Sequence, residues 1–164
     1  MANYAENERK IKQIIDEMKG LCSTSGLSNS ADEEVVVTNV FLYKFLNDKF
    51  SSCVKAFAED VGCKVEDVLE EGSEYRNAFY DSIADTVIFR ENETIGYLLQ
   101  RSQQEGFGKM FDDALKAIST NPRNESFCIE TSGGEKKPLF ESISTKVEEG
   151  NRDNFAKNIF AIIS

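Results

Sequence analysis

The side chains that could do chemistry are few, and their spacing does not suit it. The chain of 164 residues contains no His, which excludes Ser-His-Asp and Cys-His catalysis, imidazole metal ligands and an imidazole proton shuttle. Carboxylates are plentiful, but the adjacent pairs Glu70-Glu71 and Asp112-Asp113 diverge on a helix and make poor metal clips. The cysteines, Cys22, Cys53, Cys63 and Cys128, include no C-x-x-C pair. Their spacing does not fit a zinc site, and they read as reduced thiols packed like small apolar side chains. Gly106-Phe107-Gly108-Lys109 opens a helical pattern but lacks the Lys-Ser/Thr ending of a phosphate loop. Ser132-Gly133-Gly134-Glu135-Lys136-Lys137 offers amides and two cations to a phosphate, and reads equally as a flexible turn. A small enzyme working with carboxylates alone is therefore the weakest reading of this chain.

The elements that would carry these residues are helical. Ile11, Ile14, Ile15 and Met18 form one apolar stripe, predicting a helix over residues 5–19 with Gly20 as its stop. A small-polar loop over residues 23–29 follows. Ser30-Ala31-Asp32-Glu33 reads as a capping box, with acids in the first turn of a long helix reaching residue 59. The apolar residues of that helix cover nearly its whole circumference at first and then narrow, so its first half should be the most buried. Gly62 ends it. A short helical turn carries Val65, Val68 and Leu69, and a helix is expected over residues 73–84. Thr86-Val87-Ile88-Phe89 is β-like and fits none of these elements. Residues 94–104 carry Ile95, Leu98 and Leu99, and Phe107, Met110, Phe111, Ala114, Leu115 and Ile118 mark an amphipathic helix. Residues 121–138 hold both prolines and a Gly-Gly pair and read as a loop or arm. Leu139, Phe140, Ile143 and Val147 predict a short helix, and Phe155, Ile159, Ile162 and Ile163 a last one. The expected fold is mainly α, a multi-helix bundle with a loop or short β-like arm near residues 121–138, in a single domain over residues 1–164.

Leu, Ile, Val and Phe make up about a quarter of the chain, above the range of disordered sequences. The net charge of −10 is uneven. Residues 59–93 carry a net −8 and the rest is close to neutral. An acidic balance repels nucleic acid on average, but binding follows local patches. A solvated face is the plain reading of the acidic stretch. No secretory h-region and no membrane-length apolar run is visible, so a cytoplasmic protein with no membrane contact is expected.

The segment ADEEVVVTNVFLYKFLNDKF, residues 31–50, resembles the N-terminal helical domain of type I restriction-modification methyltransferase (M) subunits, an adenine-specific N6 methylase family. There a helix of pattern (V/L)-F-L-(K/Y)-(K/Y)-(F/I)-(L/S)-(N/D)-x-(K/R)-F follows an amphipathic helix and a polar loop, and the order agrees here. FGKMFDDALKAIS, residues 107–119, is similar to a later helix of that family, with Asn121 at the place of its Asn. Residues 139–163 look like the part preceding the catalytic domain. The resemblance spans most of the chain.

It implies an accessory domain that helps assemble or close a complex around DNA. The implied partners are DNA, a specificity subunit, a second methyltransferase subunit and a restriction subunit. It implies no catalytic, cofactor-binding or metal-binding residue in this chain. Adenine methylation needs a glycine-rich loop for S-adenosylmethionine and an (N/D/S)-P-P-(Y/F/W) motif that holds a flipped base. The chain has no Pro-Pro, so cofactor and chemistry are expected in a catalytic domain beyond residue 164. The last helix, which runs into Ser164 without a polar tail, reads either as such a cut or as a native terminal helix. Arg123, Lys136, Lys137, Arg152 and Lys157 fall in the near-neutral C-terminal stretch and are the candidate DNA contacts; each is also readable as a solubility charge. The alternative function is an acidic, all-helical protein-interaction module unrelated to DNA, in which residues 59–93 bind a basic partner.

Overall fold

The computed structural model describes residues Ala2–Ser164, and the mainly α expectation holds. Seven α-helices, linked by turns and a small hairpin, pack around one core: α1 (Ala2–Thr24), α2 (Ala31–Val61), α3 (Val65–Leu69), α4 (Glu74–Ser82), α5 (Ile95–Leu99), α6 (Phe107–Thr120) and α7 (Arg152–Ile163). The arm is a two-stranded antiparallel hairpin, β1 (Ile129–Glu130) against β2 (Lys136–Lys137), with Ile129 opposite Lys137.

Gly20 does not stop α1. The helix runs a turn further and ends where Gly26 takes a positive φ of 82°. There the Leu27 N–H bonds Cys22 O at 2.9 Å and the Gly26 N–H bonds Ser23 O at 3.3 Å. This left-handed exit needs a residue without Cβ, and the buried Leu27–Cys22 contact completes it. A lone glycine in a helix costs only about 1 kcal/mol, too little to end one whose flanks are packed. Ser30 caps α2 as expected, its hydroxyl accepting from the Glu33 N–H at 3.1 Å. The Glu33 carboxylate reaches past Ser30 to the Asn29 N–H at 3.3 Å, because the Ser30 N–H already donates to Leu27 O.

Helix α2 is the spine. Val36, Val40, Tyr43, Asn47, Phe50, Val54 and Ala58 are buried along its whole length, at spacings of three or four. The seam is thus as deep in the second half as in the first; what narrows is the half-buried flank, Val35, Val37, Phe41 and Leu42. Tyr43 sits among Phe89, Phe111, Phe140 and Phe160, with ring centroids 5.5–6.3 Å away. Its hydroxyl donates to Glu93 O at 2.7 Å. Helix α6 crosses α7 closely enough that a Cβ on Gly108 would lie 3.0 Å from the Arg152 backbone.

The β-like run 86–89 is a buried, extended segment with no strand beside it. Side chains take the place of a strand. Asn124 Oδ1 accepts the Ile88 N–H at 2.7 Å and Asn124 Nδ2 donates to Ile88 O at 2.9 Å. Tyr80 Oη donates to Phe89 O, and Asn47 Oδ1 accepts the Ile95 N–H at 2.9 Å. Buried backbone groups must find partners, and here carboxamides and phenols supply them.

Glu93 ends the 3₁₀ turn Glu91–Glu93 that follows this segment; it is buried, with its carboxylate accepting from the Arg90 N–H at 2.8 Å and pairing with Arg90 Nη1 at 3.2 Å. Burial raises its carboxyl above the ordinary 4.5, against the lowering effect of Arg90. A carboxyl raised on folding holds its proton more tightly in the native state. Its ionisation therefore costs stability as pH climbs from the unfolded value through the folded one. Glu93→Gln keeps an acceptor for the Arg90 N–H and removes the ionisation. The variant should gain stability relative to the wild type as pH climbs above the ordinary carboxyl value, read by urea unfolding across a pH series. A difference that stays constant with pH would contradict this.

The short helix expected over residues 139–147 is absent; only a 3₁₀ turn forms, at Ser144–Lys146. Polar side chains from the helices capture this backbone instead. Ser119 Oγ accepts the Phe140 N–H and Asn39 Oδ1 the Glu141 N–H. Asp112 accepts the N–H groups of Ile143 and Ser144, at 2.8 and 3.0 Å, and the Ser144 hydroxyl. The apolar spacing marked residues that are indeed buried, Phe140, Ile143 and Val147, but they reach the core from an irregular strap.

Candidate functional site

The five candidate cations fall into two groups. Arg123 lies in the 3₁₀ turn Pro122–Phe127 that leads into the arm, and Lys136 and Lys137 form its second strand. Arg152 and Lys157 lie on α7. Among the described residues, no hydrogen bond or ion pair joins the groups.

Within the first group the positive charge is largely answered. Arg123 pairs with Asp81 at 2.9 Å and lies 5.4 Å over the Tyr80 ring. Lys136 meets Glu125 at 2.5 Å, an exposed pair whose hydrogen bond, and then whose opposite charges, favour both ionised forms: the Glu125 carboxyl is lowered and the Lys136 ammonium raised. Lys137 is exposed beside them, and with Lys136, Glu125 and Cys128 it lines a hollow of about 410 Å³ at the base of the arm. A phosphate arriving here competes with carboxylates already in place, an exchange that screening weakens further. On α7, Arg152 turns inward and its Nε donates to Val147 O at 3.4 Å. Lys157 is half-buried.

The glycine pair at the start of α6 has a different use. The Gly106 and Gly108 N–H groups donate to the two carboxylate oxygens of Asp153, each at 2.8 Å. A carboxylate of α7 thus occupies the helix N-terminus that an anionic ligand would need. Asp112 and Asp113 diverge as the spacing requires: Asp112 holds the strap, and Asp113 pairs with Lys109 at 2.6 Å on the surface. No group of three or more Cys, Asp or Glu that could hold a metal occurs among the described residues. Cys22 is buried, and burial first, then the Glu33 charge, pushes its thiol up to about 11, which makes it inert.

Neither family profiles, nor curated proteins, nor solved structures give a match to this chain.

An apolar groove outside the core was not singled out by motif. Helices α1 and α2, with the last turn of α7, bound a groove of about 570 Å³ lined by Ile11, Ile14, Phe41, Phe45 and Ile162. Phe45 is 58% exposed and Ile11 44% exposed. The signal for it was present in α2: apolar residues around most of a helix's circumference need more than one partner surface. No helix among the described residues is long and apolar enough to cross a membrane.

Proposed function

We propose that this chain is the accessory N-terminal domain of a type I restriction-modification adenine-specific DNA methyltransferase subunit, cytoplasmic, and not catalytic by itself. The observation that carries the reading is the residue 40–50 pattern of α2. Four of its shared positions are ones the spine uses inward, Val40, Tyr43, Asn47 and Phe50. The family pattern allows Asn or Asp where Asn47 stands. Here that side chain's task is to accept the buried Ile95 N–H through Oδ1, a bond either residue type can make. At this position the pattern tolerates the substitution that the hydrogen bond tolerates.

In this reading S-adenosylmethionine and the base-flipping pocket belong to a catalytic domain that follows. The Gly106 and Gly108 amides, held by Asp153, do not fit a cofactor cradle. The domain's role is assembly around DNA with the specificity subunit, a second methyltransferase subunit and the restriction subunit. Contact to phosphate by the paired cations of the arm would be weak and salt-sensitive.

The decisive test is the reading frame beyond the Ser164 codon together with a DNA titration of the chain. A downstream glycine-rich loop and an N-P-P-(Y/F) type motif are expected. DNA binding by the chain alone should be sequence-independent and fall steeply between about 50 and about 200 mM salt. A downstream frame without those motifs, or strong sequence-specific binding by this chain alone, would overturn the assignment. The exposed groove between α1 and α2 favours the second reading, a helical protein-interaction module unrelated to DNA.

A further inference from the structure

The stripe that buries Met18 in the core continues up α1, and beyond the half-buried Ile14 it is exposed. Tyr4, Asn7, Ile11, Ile14, Met18 and Leu21 recur at spacings of three and four, the period of a helix–helix seam. Met18 is buried and Leu21 half-buried, Ile14 is half-buried, and every residue from 3 to 13 is exposed, Tyr4 to 78%. One stripe therefore faces two surroundings: its own bundle in the second half and solvent in the first. A helical half of this length gains little stability from its own backbone and needs an apolar partner.

The charge order says which partner fits. Helix α1 is neutral overall, carrying Arg9, Lys10, Lys12 and Lys19 against Glu6, Glu8, Asp16 and Glu17. Lined up antiparallel with a copy of itself about a centre between Gln13 and Ile14, it sets Lys10 opposite Glu17 and Glu8 opposite Lys19, each twice by symmetry. A parallel, in-register pair would instead set each charge against itself. The opposite wall of the groove carries the balanced Lys44–Asp48 pair at 2.9 Å. Two copies of a chain with net charge −10 repel as wholes, and most of that charge lies in residues 59–93. The α1–α2 face is apolar and balanced, so a second copy can approach there without that repulsion.

We infer that the groove between α1 and α2 is an isologous interface that receives α1 of a second copy of this chain, antiparallel, with Ile11, Ile14 and Phe45 at its centre and Lys10–Glu17 pairs across it. Such a dimer forms from this chain alone, with or without the methyltransferase assembly.

Sedimentation equilibrium of the 164-residue chain tests it. A reversible monomer–dimer equilibrium is expected. Ile11→Asp and Phe45→Asp, both at exposed positions that leave the core intact, should sediment as monomers with unchanged circular dichroism. Lys10→Glu should weaken the dimer by about tenfold or more, and adding Glu17→Lys to it should restore association. A wild type that stays monomeric to about 0.2 mM, where a Kd tighter than millimolar would show, overturns the proposal, whatever else the groove binds. A dimer indifferent to Ile11→Asp and Phe45→Asp overturns it too, as does a charge reversal without rescue.

Discussion

Replacing Asn124 by alanine should cost about 3–5 kcal/mol of folding stability, read as a lower urea midpoint at unchanged slope. The side chain is fully buried and makes three bonds: it accepts from the Ile88 N–H at 2.7 Å, and donates to Ile88 O at 2.9 Å and Ile118 O at 3.0 Å. It thus ties the extended segment 86–89 to the end of α6. Alanine leaves the Ile88 N–H and Ile88 O facing an apolar interior, where each unsatisfied group costs about 1–3 kcal/mol, while Ile118 O keeps the Asn121 N–H at 3.4 Å. Asn124→Asp separates the bonds. It keeps the acceptor for the Ile88 N–H but turns a donor into an acceptor facing two carbonyls. That variant should be at least as damaged at neutral pH and should recover partly in acid, when its carboxyl can again donate. A loss below about 1 kcal/mol for alanine would mean that water or a shifted backbone serves these groups instead.

Phe160→Ala should cost a similar amount, about 3–5 kcal/mol. The ring is fully buried. It meets Phe111 edge-on at 4.9 Å and Phe107 at 5.1 Å, and lies 6.3 Å from Tyr43. Its loss opens a void where α7, α6 and α2 converge, and the flanking helices are too constrained to collapse into it. Phe160→Leu, which keeps most of the volume, should lose less than half as much by the same urea measurement. Equal losses for the two would show that aromatic geometry, and not volume, sets the cost. A negligible loss for alanine would show that α7 docks without that ring.

The helices were legible where one rule sufficed. Ser30 before three acids located the start of α2, and Gly62, at φ 74°, its end. The heptad-like apolar spacing named most of the core face. Legibility failed where two rules competed. Gly20 looked like a stop because glycine is a poor helix former, but the packing of Met18 and Cys22 on either side outweighs that preference. Residues 139–147 carried helical spacing, yet Asp112, Ser119 and Asn39 offered their backbone better partners than its own helix would. The site was less legible still. The five cations were chosen by charge along the chain, and pairing such as Arg123 with Asp81 joins residues far apart in it.

The sequence by itself determined most of the buried residues, that the fold is helical, that histidine chemistry is excluded and that the net negative charge is concentrated in residues 59–93. These follow from composition and short-range periodicity, which act within a turn or two of the chain. Only the tertiary structure decided what the polar side chains are for. Asn124 replaces a missing strand, Asp153 fills the helix N-terminus at Gly106 and Gly108, and the α1 stripe is half core and half open surface. Hydrogen bonds and apolar contacts are satisfied by whatever lies a few ångströms away, and that neighbour is set by how distant segments pack, not by their order.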